Sequence, residues 1–304
     1  MRRSFTLILP LLALLTFLGA ARAQQPEMSD AEFERLFTSL RFIEGDITLR
    51  DDLANVSLTP DFQFLGSGDA QTFLTKFWGN PPEASRGVLG LIMPAEPHPL
   101  SPDAWAVVIS YEAAGYISDG DAADIDYDDL LRDLQEATED GNPAREKQGY
   151  EAIHLLGWAR APHYDPATKK LHWAKRLRFG DAPEETLNYE IRILGRRGYL
   201  DLNIVGAMAQ FEAIDSQTDT ILSMVQFNQG HTYAEFDPEV DETAAYGIAG
   251  LIAGGVLAKA GFFKGLIALV IAFKKVFIIG AVALFAGGWQ IFKRVFRRGG
   301  ETGV

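Results

Sequence analysis

The chain has 304 residues, is 47% hydrophobic and carries a formal charge of −13. That length supports one sizeable core or two small ones. There is no cysteine, which excludes disulfides, thiolate nucleophiles and cysteine-ligated zinc or iron–sulfur centres. The charge is uneven: residues 24–242 hold 17 basic and 40 acidic side chains, while residues 243–304 hold eight basic side chains and one acid. A segment as acidic as 24–242 repels polyanions at long range, so nucleic acid is not an expected partner.

In chain order, Arg2 and Arg3, an apolar run from Phe5 to Ala20 and the small-residue site Ala21-Arg22-Ala23 predict a cleavable export signal over 1–23. The mature domain is expected over 24–242. Ser29 and Glu32 predict a capping box ahead of a helix with Phe33, Leu36, Phe37 and Leu40 on one stripe. Short apolar runs between turn residues read as strands from Asp46 to Leu65. Asp69 is then the expected cap of a second helix, stopped by Gly79-Asn80-Pro81-Pro82. "GVLGLIMP" and "WAVVISYEAAGYI" are strand candidates, the latter with Trp105, Val107 and Ile109 on alternate positions.

The run Asp119, Asp121, Asp124, Asp126 and Asp128 suggests a calcium loop. Counted from Asp124, though, an EF-hand's glycine and glutamate positions are Asp129 and Gln135. Helix capping by Asp126, with Asp129 completing the box and Leu130, Leu131 and Leu134 facing the core, fits better. Asn142-Pro143 predicts a separate short helix closed by Gly149.

His154, His163 and His172 recur every nine residues. Residues 152–160 and 170–179 read as a hairpin turning near Asp165-Pro166, which would set His172 near Ala161 and His154 near Phe179. At ~3.3 Å per residue the outer histidines are then more than about 10 Å apart, too far to share one metal ion. No metal ligand set and no cofactor are expected. Leu187, Tyr189, Ile191 and Ile193 alternate along the first strand of a second hairpin, tipped by Gly195-Arg196-Arg197-Gly198. Ser216 with Asp219 predicts a helix start, and "HTYAEF" a last strand. The sum is an α+β fold around a mostly antiparallel sheet with packed helices.

Residues 243–304 read as a helical membrane-anchoring segment with a basic cytoplasmic tail. "VFIIGAVALFAGGWQIF" (276–292) is uncharged and spans about 25 Å as a helix, near the lower limit for a bilayer core. Contact with the lipid bilayer is expected over 246–292. Lys293, Arg294, Arg297 and Arg298 favour a single pass with the tail inside and the bulk of the chain on the outer, periplasmic side of the inner membrane; the alternative is two spans with Lys274 and Lys275 at an inner turn.

"WGNPP", "SYEAAGYISDGDAADIDYDDLL", "KQGYEAIHLLGWARAPHYDPATKKLHWAKRL", "LNYEIRILGRRGYL" and "YAEFDPEVDETAAYGIAGLIAGGVLAKAG" together resemble the bacterial membrane-anchored family called domain of unknown function 2167. The resemblance covers nearly all of the mature chain. It implies the layout of signal, exported domain and C-terminal membrane segment, and no catalytic residues.

No G-x-S-x-G, H-E-x-x-H, P-loop or G-x-G-x-x-G after a strand is present. A binding or envelope-structural protein is therefore the expected function. The alternatives are an envelope hydrolase using His154 or His172, or a calcium-binding protein. The expected ligand-binding residues form a basic patch, Lys169, Lys170, Arg176, Arg178, Arg196 and Arg197, suited to an anionic envelope component or protein partner.

Overall fold

A computed structural model describes residues 29–254 apart from 81, 102, 148 and 149. The export signal, the 276–292 run and the basic tail lie outside the described residues. Among the described residues no helix is long and apolar enough to cross a membrane.

The chain divides into two compact units, 1–40 and 41–304. The first contains helix α1 (Asp30–Ser39) with its capping box intact: the Glu32 amide donates to Ser29 Oγ (3.3 Å), and the Ser29 amide donates to Glu32 Oε2 (3.1 Å).

The second unit begins with β1 (Phe42–Ile43), β2 (Asp46–Thr48), β3 (Ala54–Ser57) and β4 (Phe62–Gly66). Helix α2 (Ser67–Thr72) follows, opened by Gly66 and continued by a wider π-turn over Phe73–Phe77. Asp69 is not the cap: it lies inside the first turn, and its carboxylate accepts the Arg41 amide (3.2 Å). Next come β5 (Gly90–Pro94), β6 (Val107–Glu112) and helix α3 (Tyr127–Lys147). Asp126 caps α3 through the amides of Asp128 and Asp129 (both 3.0 Å), whereas the Asp129 carboxylate pairs with Arg132 and does not close the box.

Two long hairpins, β7 (Ile153–Asp165) with β8 (Lys170–Phe179) and β9 (Thr186–Leu194) with β10 (Tyr199–Ala207), build one half of the sheet, out to its edge at β7. Helix α4 (Phe211–Asp215), helix α5 (Thr218–Met224), β11 (Val225–Phe227) and helix α6 (Ile248–Ile252) follow among the described residues. Ser216 ends α4, its hydroxyl donating to Ala213 O (2.9 Å), and Gln217 takes the cap position of α5. The expected strand "HTYAEF" is instead a 3₁₀ turn over Tyr233–Glu235, because Thr232 and Glu235 form their own capping box. Only Thr232 bridges, to Gly195.

The strands pair antiparallel in an eight-stranded sheet, β1-β4-β5-β6-β10-β9-β8-β7, and a three-stranded sheet, β11-β3-β2. The fold is α+β. Because side chains alternate along a strand, Leu187, Tyr189, Ile191 and Ile193 of β9 and Leu200, Leu202 and Ile204 of β10 share one face. That face packs against Ala54 and Val56 of β3, Ile214 of α4 and Ile221 of α5. On the opposite face Leu171, Trp173, Leu177 and Phe179 pack with Leu130 and Leu134 of α3 and Ile248, Leu251 and Ile252 of α6. Each buried aliphatic side chain contributes about 1.5–3 kcal/mol.

Strand β7 ends the sheet, and an uncovered edge of thirteen residues would invite pairing with another chain. Helix α3 covers the first residues of that edge with side chains that imitate a strand. Asn142 accepts from the Ile153 amide (2.8 Å) and donates to the Ile153 carbonyl (2.9 Å), Gln135 donates to Leu155 O (3.0 Å), and Arg145 donates to Glu151 O (3.1 and 2.9 Å). These bonds explain why Asn142-Pro143 starts no new helix. They hold the last turns of α3 against the sheet across Pro143, which lies inside the helix.

Candidate functional site at the hairpin tips

Both hairpin tips lie at the same end of the sheet. The 166–169 turn is built by Asp165, whose carboxylate accepts from the Ala167 amide (2.9 Å) and the Thr168 hydroxyl (2.6 Å). The 195–198 turn needs glycine at Gly198: its φ is +156°, and an added Cβ would lie 2.0 Å from Glu112 O. Together they place Lys169, Arg196 and Arg197 beside two segments that cross this end, 114–121 and 231–247. The segments are joined by the Tyr116 amide to Glu242 O and the Ala244 amide to Tyr116 O (both 2.8 Å).

Asp119 is the hub. One carboxylate oxygen accepts from Tyr164 Oη and Lys169 Nζ (both 2.7 Å), and the other shares the Tyr233 hydroxyl proton (3.1 Å) with the carbonyl of Ile117 (2.9 Å). Burial pushes its carboxyl up, but the hydrogen bonds from Lys169, Tyr164 and Tyr233 outweigh it and hold the pKa below the usual value. Burial raises both phenols, and the Asp119 charge adds to it, so they remain donors. The Lys169 ammonium sits 4.8 Å from the Tyr233 ring centre. Tyr116 stacks between Tyr233 and Phe236, with ring centres 4.5 and 3.8 Å away.

Two further carboxylates organise the same end. Asp241 accepts from Arg196 Nε (2.6 Å), Arg197 Nε (2.5 Å) and the Asp237 amide (2.9 Å), and the Arg196 bond leads in holding its carboxyl well below the ordinary range. Asp121 accepts the amides of Ile248 (2.9 Å) and Ala249 (3.1 Å), capping α6. Gly247 permits that approach, since a Cβ there would lie 2.5 Å from the Asp121 carboxylate.

The six basic residues expected as one patch are thus divided. Lys169, Arg196 and Arg197 meet at the tips, each paired with an aspartate. Lys170 turns to the other face and donates to the carbonyls of Leu222 and Val225, with burial lowering its ammonium pKa. Arg176 and Arg178 lie roughly 20 Å further along β8 at ~3.3 Å per residue. There Arg176 forks onto Glu185 (both bonds 2.9 Å), while Arg178 is exposed. The aspartate run is also divided: Asp119, Asp121 and Asp126 each accept protein donors, and Asp124 and Asp128 are exposed. Among the described residues no group of three or more His, Asp or Glu side chains is arranged to hold a metal ion.

Sequence reasoning missed Tyr116, Tyr164, Tyr233 and Asp241, none of which belongs to a spaced motif. It also missed a buried ionic cluster on the α6 side of the sheet. Arg192 pairs with Glu190 (2.8 Å) and Asp201, Lys175 pairs with Glu190 (3.2 Å), and the Arg192 guanidinium lies 5.3 and 5.4 Å from the rings of Trp173 and Tyr199. His154 is bonded to Glu139 (2.7 Å) at the open end of its hairpin. His172 does not pair near Ala161: irregularities in β7 bring His163 opposite it.

The family described as "Protein of unknown function (DUF2167)" matches residues 41–285. No curated protein is similar at a significant level. Among solved structures, cyanobacterial PsbP from Synechocystis sp. PCC 6803 aligns at 13% identity and a TM-score of 0.33, covering 62% of this chain and 92% of that one. LpqN of Mycobacterium tuberculosis, described as involved in cell envelope biogenesis, aligns at 12% and 0.31, covering 67% and 99%. The Ran-binding protein Mog1p of Saccharomyces cerevisiae aligns at 10% and 0.31, covering 62% and 96%.

Proposed function

The chain belongs to this DUF2167 family, and from that premise we propose that it is an exported domain, mounted on the outer side of the inner membrane, that binds or braces an envelope component. The observation that carries the reading is the cap on α6. The first apolar turn after the composition break is held by Asp121 and buried through Ile248, Leu251 and Ile252 in the core of the sheet. A membrane segment that begins inside the domain core fixes the domain's orientation on the bilayer. Orientation matters for a brace or a docking surface. An anionic partner would meet Arg178 and Arg197, which keep exposed guanidinium groups. The hydrolase reading has less support, since among the described residues no hydroxyl is hydrogen-bonded to His154 or His172.

Single-cysteine labelling tests the mounting, because the native chain has no cysteine. In spheroplasts, Ser67→Cys, at an exposed position, should react with a membrane-impermeant maleimide and Thr302→Cys should not. A Ser67→Cys variant that reacts only after lysis would remove the exported reading. Labelling of Thr302→Cys would replace the single pass with a helical hairpin.

A further inference from the structure

Strand β7 carries register irregularities between Leu155 and Gly157, Trp158 and Arg160, and Arg160 and His163. The extra residues they absorb shift the far half of the strand, so that His163 stands directly across from His172 on β8. Directly opposed residues of an antiparallel pair project from the same face with Cβ atoms about 4.5–5.5 Å apart. The two imidazole centres are 5.4 Å apart, with planes inclined at 46°.

That spacing has a chemical meaning. A zinc ion about 2.0–2.1 Å from a ring nitrogen lies about 3.2 Å from the ring centre, and a tetrahedral angle between two such ligands separates the centres by about 5.2 Å. His172 is 3% exposed, and its Nε2 has no hydrogen-bond partner. A buried nitrogen without a partner costs free energy unless something binds it. His163 is exposed and opens the pair to solvent.

We propose that His163 and His172 form a two-point site for a divalent transition-metal ion of the zinc, nickel or copper class, with the remaining coordination positions left to water or an exogenous ligand. Imidazole suits these ions, whereas calcium and magnesium prefer oxygen. The surroundings permit it. Arg160, the nearest cation, is neutralised by the Asp215 carboxylate (both bonds 2.8 Å), which also accepts from Tyr189 Oη (3.0 Å); Asp219 on α5 and Asp165 at the turn are the other charged groups nearby.

Calorimetric titration of the full chain in detergent with zinc, and separately with calcium, tests the site. One zinc ion should bind per chain and calcium should not compete. His163→Ala, at an exposed position, should weaken zinc by at least about tenfold, and His154→Ala at the other end of the hairpin should leave it unchanged. His172→Gln should match His163→Ala if its metal-free melting is that of the parent. No saturable zinc binding, unchanged affinity in His163→Ala, or an equal loss in His154→Ala overturns the proposal.

Discussion

The two faces of β9 carry opposite chemistry. On β9, Tyr189, Ile191 and Ile193 point into an apolar core shared with β3, α4 and α5. One residue away, Asn188, Glu190 and Arg192 point to the other side and are equally buried, at 3–4% exposure. The apolar face stabilises in proportion to the area it removes from water. The ionic face gains little as a whole, because desolvating each charge offsets most of the attraction, but losing one member leaves the others buried and unpaired. One face therefore tolerates gradual change, and the other does not.

Arg192→Met breaks this comparison most severely. It strands Asp201 and leaves Glu190 with Lys175 alone, and should cost about 3–5 kcal/mol, against about 0.5–1.5 kcal/mol for Ile191→Val on the apolar face. Thermal melts of the two variants check it, and comparable midpoints would show that the charges are not interdependent. Asn142→Leu should come next, at about 1–3 kcal/mol, since it leaves both backbone groups of Ile153 without partners. It should also promote self-association through the freed edge of β7, visible by light scattering.

The faces should also separate by pH. His172, on the apolar side, is held at about 4 against an ordinary 6.5, mainly by burial. Its contribution to stability is complete above pH 6.5 and is lost as pH falls towards 4. Asp201, on the ionic side, is pushed up to about 6 from 3.8 by burial, outweighing the opposing pull of Arg192. It contributes the opposite slope, with stability falling as pH rises from 4 to 6. Metal-free His172→Gln should flatten the acid-side loss by roughly 3 kcal/mol, and Asp201→Asn should steepen it. Melting temperatures across that range decide the signs. The smallest effect expected is for Asp121→Ala, where removing the cap of a five-residue helix should cost about 1 kcal/mol. Its sharper readout is faster amide exchange at Ile248 and Ala249.

The sequence by itself determined the elements whose causes are local. Alternation along "TLNYEIRIL" specified a strand and its apolar face, Asp126 specified the start of α3, and the Ser29–Glu32 pair specified the start of α1, because capping and periodicity act within a few residues. The antiparallel α+β class followed from the order of those elements. Tertiary structure alone decided whatever depends on distant partners. Pro143 stays inside α3 because Asn142 is tied to Ile153 of β7 and Arg145 to Glu151 just ahead of it. The basic residues serve three separate purposes, because Asp119, Asp241 and Glu185 come from other parts of the chain. The histidine pair exists because irregularities in an edge strand shift its register, and a one-residue slip carries every following side chain to the other face.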